Sequence, residues 1–127
     1  MFGIKKKNTE NTLTTFLDTV DSEYMKAYTT RSIQILQKYV SRECALKISR
    51  VIGAYNSRYF GTERFRKTTW TILDNICDRL TIKKSVEFSK VKISGTVKMS
   101  VADNYEEIWI VDYSDKNRPF VLDIKAA

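Results

Sequence analysis

The chain has 127 residues, 43% of them hydrophobic and 29% charged, with 22 Lys and Arg against 15 Asp and Glu for a formal charge of +7. That length suits one domain with its own core and requires no second. Histidine is absent, which removes the imidazole base, His-assisted Ser or Cys nucleophiles and His-bearing metal sites.

Other absences narrow the field further. No run approaches the roughly 18 to 20 apolar residues of a membrane span. Polar Asn8–Thr12 stands where a secretory signal would place its apolar segment, so a cytoplasmic location is the default expectation; a fragment cut from behind a membrane anchor would read the same way. Cys44 and Cys77 are the only cysteines. Their spacing is not that of a metal site, and both read as buried reduced thiols. There is no Gly-rich phosphate loop, GxSxG elbow or HExxH, and neither a metal nor a cofactor is expected.

In chain order, residues 1–8 read as a flexible basic arm and residues 9–127 as a single domain. From Thr9 to about Tyr28, Leu13, Phe16, Leu17, Val20, Tyr24 and Tyr28 recur at three and four, one face of a helix. The polar run Asp18–Ser22 allows a break near Asp21. Thr29-Thr30 looks like a second cap, leading into a short amphipathic helix with Ile33, Leu36, Tyr39 and Val40. Ser41 starts a third helix, or the second runs on through Cys44, Ile48 and Ile52 to Gly53.

Beyond a connection near Gly61 the period changes to two. Phe65–Leu73 reads as a strand around Trp70 and Ile72, and Asp74–Arg79 as a turn or bulge. Leu80, Ile82, Val86, Phe88, Val91 and Ile93 alternate with polar residues, with a slip of phase between Phe88 and Val91 that a bulge would explain. After a tight turn at Ser94-Gly95, Val97, Met99 and Val101 alternate again, and Ala102–Asn104 either bends or ends that strand.

The last stretch, Tyr105–Ile124, reads as a β-hairpin: Ile108–Val111, the turn-prone Ser114–Arg118, then Phe120–Ile124 behind Pro119. Strict alternation puts Trp109, Val111, Tyr113, Phe120, Leu122 and Ile124 on a core face and Ile108, Ile110 and Val121 on the other, a candidate partner surface. Helices followed by an antiparallel sheet is the α+β order. The facing of Trp109 and Phe120 carries this architecture and the contact surface with it.

The order of elements resembles the cystatin-like α+β roll of the NTF2-like superfamily. Asp21 with Tyr28-Thr29-Thr30 and Glu107–Val111 followed by Phe120–Ile124 resemble the Tim44-like domain most, and more distantly the VirB8-like module of secretion and conjugation machines. Phe120 stands where a Tim44-like domain would carry a final Trp. The resemblance implies a roll whose helices pack across a curved sheet, with Phe16, Tyr24, Leu36, Trp70, Phe88, Trp109 and Phe120 as core or pocket wall. It also makes a homodimer through the sheet an expectation.

Three functions follow in order of preference. The first is a non-catalytic binding or scaffolding module acting on a protein partner or on itself. The second is nucleic-acid binding, with Arg58, Arg64, Arg66 and Lys67 interleaved with Tyr59, Phe60 and Phe65 as the polyanion contact. The third is a small pocket enzyme using a carboxylate and a phenol. For it, Tyr105 with Asp103 share a side of a regular strand, whereas Tyr113 and Asp112 do not.

Overall fold

The computed structural model of the chain describes residues 2–54 and 63–127. Two helices and a four-stranded antiparallel sheet make an α+β architecture. Helix α1 spans Phe2–Thr30, a 3₁₀ turn Leu36–Lys38, and helix α2 Arg42–Ala54. The strands are β1 (Glu63–Ile76), β2 (Arg79–Ser94), β3 (Val97–Asp112) and β4 (Phe120–Ala126), paired in the order β1-β2-β3-β4.

The helical half differs from expectation in three places. Helix α1 begins at Phe2, so the segment read as a basic arm has helical backbone. It also continues through Asp21 without a break, because that carboxylate is drawn inward to two cations instead of competing for the helix backbone. The second helix shrinks to a single 3₁₀ turn. Its neighbours are claimed by the sheet: Val121 N–H donates to Tyr39 O and Ser41 N–H to Val121 O, both at 2.8 Å. Ser41 then caps α2, accepting the Cys44 N–H at 3.1 Å while its hydroxyl donates to Leu122 O at 2.8 Å.

In the sheet, the ambiguous Asp74–Arg79 closes the first hairpin. Cys77 and Asp78 both have positive φ, 51° and 65°, the requirement of a two-residue type I′ turn. Cys77 is therefore exposed, not buried as expected, while Cys44 is buried, and burial pushes its thiol up to about 11. Gly95, at φ 62°, opens the second turn, where a side chain would be strained. The bulge expected between Phe88 and Val91 is absent from β2–β3, whose register runs unshifted from Arg79↔Asp112 to Ser94↔Val97, and β3 passes through Ala102–Asn104 unbroken. The irregularities lie instead on β1, at Arg64 and Leu73.

One further shift, between Ile110 and Val111, decides the facing of β4. Trp109 pairs with Ile124 and Val111 with Val121, so Leu122 is the extra residue and strict alternation fails. Trp109 and Val121 are wholly buried, while Phe120 is 36% exposed. Two expectations are thereby corrected: Phe120 does not look into the core, and Val121 does not belong to the outer face. The α+β arrangement stands because Val121 occupies the core position that Phe120 gives up.

The core lies between α1, α2 and the inner face of the sheet. Leu13, Leu17, Val20, Tyr24 and Tyr28 from α1 and Cys44, Ile48 and Ile52 from α2 meet Leu80, Ile82, Trp109, Val111 and Ile124. Leu36, from the 3₁₀ turn, is buried among them.

Candidate functional site

Alternation along β2 places Leu80, Ile82, Lys84 and Val86 on the inner face, and register places Glu107 of β3 and Trp70 of β1 directly beside Lys84. A lysine at that position enters the core unless something prevents it. It does enter: Lys84 is 0% exposed. Such a burial requires compensating charge.

Two carboxylates supply it. Lys84 Nζ lies 2.6 Å from Asp21 Oδ1 and 3.0 Å from Glu107 Oε1; the first is an ion-pair contact without hydrogen-bond alignment. Arg66 joins from β1, 3.5 Å from Asp21 and donating to Tyr105 Oη at 2.9 Å. The cluster thus sets the cations Lys84 and Arg66 against the anions Asp21 and Glu107.

Aromatic rings wall this cluster. The Lys84 ammonium sits 5.2 Å from the centre of the Tyr24 ring and 5.4 Å from those of Tyr105 and Trp109, a cage whose ring faces attract a cation. Trp109 stacks on Tyr24 at 5.8 Å and meets Trp70 edge-on at 4.9 Å. Its indole N–H donates to Glu107 Oε1 at 3.4 Å, the Tyr24 hydroxyl donates to Glu107 Oε2 at 3.2 Å, and Trp70 donates to Asp18 at 2.9 Å.

The electrostatics follow from this packing. Burial alone would lower the Lys84 pKa, but Asp21 and Glu107 outweigh it and hold it above the ordinary 10.5. Burial, with Glu107 nearby, drives the Tyr24 phenol well above its ordinary 10.0. Both groups keep protons that the unfolded chain would release. The stability they contribute is therefore complete below about pH 10 and lost as pH rises through their raised values. Urea unfolding across alkaline pH should show a plateau that falls beyond pH 10, with a shallower fall for Tyr24→Phe; a wild-type curve that rises there would contradict the arrangement.

Of the residues singled out in the sequence, Tyr24, Trp70, Trp109 and Arg66 converge here, with Phe88 at the edge through its contact with Tyr105 at 5.9 Å. Phe16 instead contacts Tyr39, and Leu36 is plain core. Phe120 lines a surface groove of about 390 Å³ with Ile33, Val40 and Leu46. Ile108 and Ile110 are half-buried on the outer face, between Lys83 and Lys125 and between Thr81 and Asp123 respectively. Arg58 and the Arg64 side chain lie outside the described residues, and Lys67 is exposed.

Lys84 and Glu107 are the residues that sequence reasoning missed as a pair. The signal was their phase, because each stands in an alternating run otherwise filled by core residues. For chemistry the arrangement offers little: its charges are mutually satisfied, and the Tyr24 phenol is held protonated. Tyr113 is buried, and Asp112, on the other side, accepts from Ser114 at 2.6 Å, so that pair does not share a pocket. Among the described residues no three potential metal ligands gather, and no helix is long and apolar enough to cross a membrane. Comparison with protein-family models, curated proteins and solved structures finds no match for this chain.

Proposed function

We propose that the domain is a non-catalytic binding or scaffolding module that acts through protein–protein contacts. One observation carries this reading: among the described residues, the protein's own Lys84, Tyr24 and Trp109 are buried against one another between α1 and the sheet, where a roll of this kind would hold a small substrate. With the charges of Lys84, Arg66, Asp21 and Glu107 set against one another, recognition falls to the surface. Large apolar side chains are available there, among them Ile72, Leu73 and Ile76 at the first hairpin, Val97 and Met99 at the second, and Leu46 and Phe120 beside α2.

The resemblance to the NTF2-like roll, and within it to Tim44-like and VirB8-like modules, supports a place in a transport or secretion/conjugation-type assembly. Self-association through Ile108 and Ile110 is a narrower version of the same reading, now without Val121. The polyanion reading loses Arg66, whose guanidinium is engaged by Asp21 and Tyr105. Photo-crosslinking residues placed at Ile72, Met99 and Phe120 in cells of the source organism should each report whether a protein lies against that surface. A discrete adduct at one site and not at the others is expected. Uniform absence of adducts, together with a monomer in sedimentation, would remove the proposal.

A further inference from the structure

Helix α2 presents two different faces. Cys44, Ile48 and Ile52 turn into the core, whereas Arg42, Leu46 and Arg50 stand exposed at four-residue intervals, one ridge along the solvent side of the helix. Beside that ridge lies the groove of about 390 Å³, lined by Ile33, Val40, Ala45, Leu46 and Phe120, with Arg42 among its walls. Leu46 is 51% and Phe120 36% exposed. Main-chain bonds tie the walls together: Val121 N–H donates to Tyr39 O and Ser41 N–H to Val121 O, while the Ser41 hydroxyl caps α2. The cleft is thus formed before anything enters it.

Charge decides what kind of surface can lie there. From Arg31 to Ala54 the chain carries Arg31, Lys38, Arg42, Lys47 and Arg50 against Glu43 alone. Lys47 is paired with Asp123 at 3.0 Å, but among the described residues neither Arg42 nor Arg50 has an ion-pair partner. Residues 55–62, which follow α2 in the sequence, contain no acid that could supply one. Two exposed guanidinium groups, about 12 Å apart along the axis at ~1.5 Å per residue, therefore flank one exposed leucine. A second copy of this chain would bring the same basic surface, and a nucleic-acid backbone would leave Leu46 and Phe120 uncovered.

We infer that this groove receives an amphipathic helix of a partner protein, with an apolar residue between Leu46 and Phe120 and a carboxylate one turn to either side, facing Arg42 and Arg50. Residues four apart on the incoming helix match residues four apart on α2, so the pattern is acid, apolar, acid at intervals of four. Each planar guanidinium can take its carboxylate bidentately, and the small Ala45 lets the two helices approach closely. The inference rests on the protein-binding reading above and names the surface and the chemistry of the partner.

The test is amide chemical-shift mapping on the isotope-labelled domain with an alanine-based peptide of about sixteen residues, long enough to hold some helix in water, that carries Glu, Leu and Glu at intervals of four. Saturable shifts in Val40–Arg50 and at Phe120 are expected. Arg42→Glu/Arg50→Glu, which alters only the solvent side of α2, should weaken that peptide roughly tenfold or more, because two attractive pairs become repulsive. Preference should pass to a peptide with Lys in place of Glu, a reversal that loss of folding could not produce. Absence of saturable shifts, or equal binding of both peptides by the wild type, overturns the inference and leaves the cross-linking test of a protein-binding role unaffected. Shifts confined to either hairpin overturn this assignment while leaving that role standing. Concentration-dependent shifts without peptide would assign the groove to a second copy of the chain, and stronger shifts of the same amides with a short DNA duplex would assign it to nucleic acid; either result overturns the inference.

Discussion

Trp109→Ala should lower the unfolding free energy by about 3 to 5 kcal/mol, the range for truncating a large buried aromatic. The indole is wholly buried. Its removal takes away the stacking partner of Tyr24, the edge contact of Trp70, one ring of the cage around Lys84 and one donor to Glu107. Since small domains are stable by only ~5 to 15 kcal/mol, that loss is a large share of the whole. Phe120→Ala provides the internal comparison. With its ring partly in solvent, its loss should cost under about 1 kcal/mol, as surface truncations do. Urea unfolding of the two variants, followed by circular dichroism, measures both differences. Similar midpoints for the two would mean that the bulge at Leu122 does not set the facing described above.

Lys84→Ala should be comparably damaging, by about 3 to 5 kcal/mol, for a different reason. Removing one partner of a buried ion pair leaves the other charges desolvated and uncompensated. Among the described residues, Glu107 would keep the neutral donors Tyr24 and Trp109, and Asp21 would keep Arg66, at 3.5 Å. A cavity adds to the cost. The triple variant Lys84→Met/Asp21→Asn/Glu107→Gln removes the three charges together and fills the space left by the lysine stem. It should regain most of the stability lost, because an apolar replacement of a buried ion cluster is often neutral or better. The same urea series decides the point. Should Lys84→Ala unfold within about 1 kcal/mol of the wild type, the lysine is not buried in solution. Should the triple variant be no better than the single one, the loss is one of shape and not of charge.

These two predictions also separate what the fold needs from what its interior chemistry adds. Trp109 is core by any hydrophobic criterion. Lys84, Asp21, Glu107 and Arg66 make a polar centre in a place where leucine and valine would pack more simply. A buried ionic cluster of this kind fixes which strand register and which helix position are allowed, since any slip strands a charge. Slipping β2 by one residue would turn Lys84 to the outer face and leave Asp21 and Glu107 without their common cation. The cluster therefore ties α1, β1, β2 and β3 to one relative arrangement.

Much of the architecture was legible in the residues themselves, because it depends on periodicity alone. Leu13, Leu17, Val20, Tyr24 and Tyr28 recur as a helical stripe, and Leu80, Ile82 and Val86 as a strand face; each pattern selects its element and its buried side without knowledge of the rest. The inward facing of Trp109 and the turn at Gly95 followed from the same local rules. The charged centre was half legible. Lys84 and Glu107 sit in phase with core residues, but phase says only that a side chain points inward, not which opposite charge from α1 will meet it.

What tertiary structure alone decided was the facing of β4 and the fate of the segment before α2. A single extra residue at Leu122 exchanges Phe120 for Val121, and no local pattern announces it, because Phe, Val and Leu are all suited to either position. The bulge is held by bonds to distant residues, with Val121 tied to Tyr39 and Ser41 and the Leu122 carbonyl to the Ser41 hydroxyl. Those same bonds draw residues 39–41 out of the helix that their spacing predicted. Sequence periodicity specifies a face one element at a time, whereas a sheet edge that captures a loop satisfies main-chain groups of both at once, and that gain exists only when the two are already side by side.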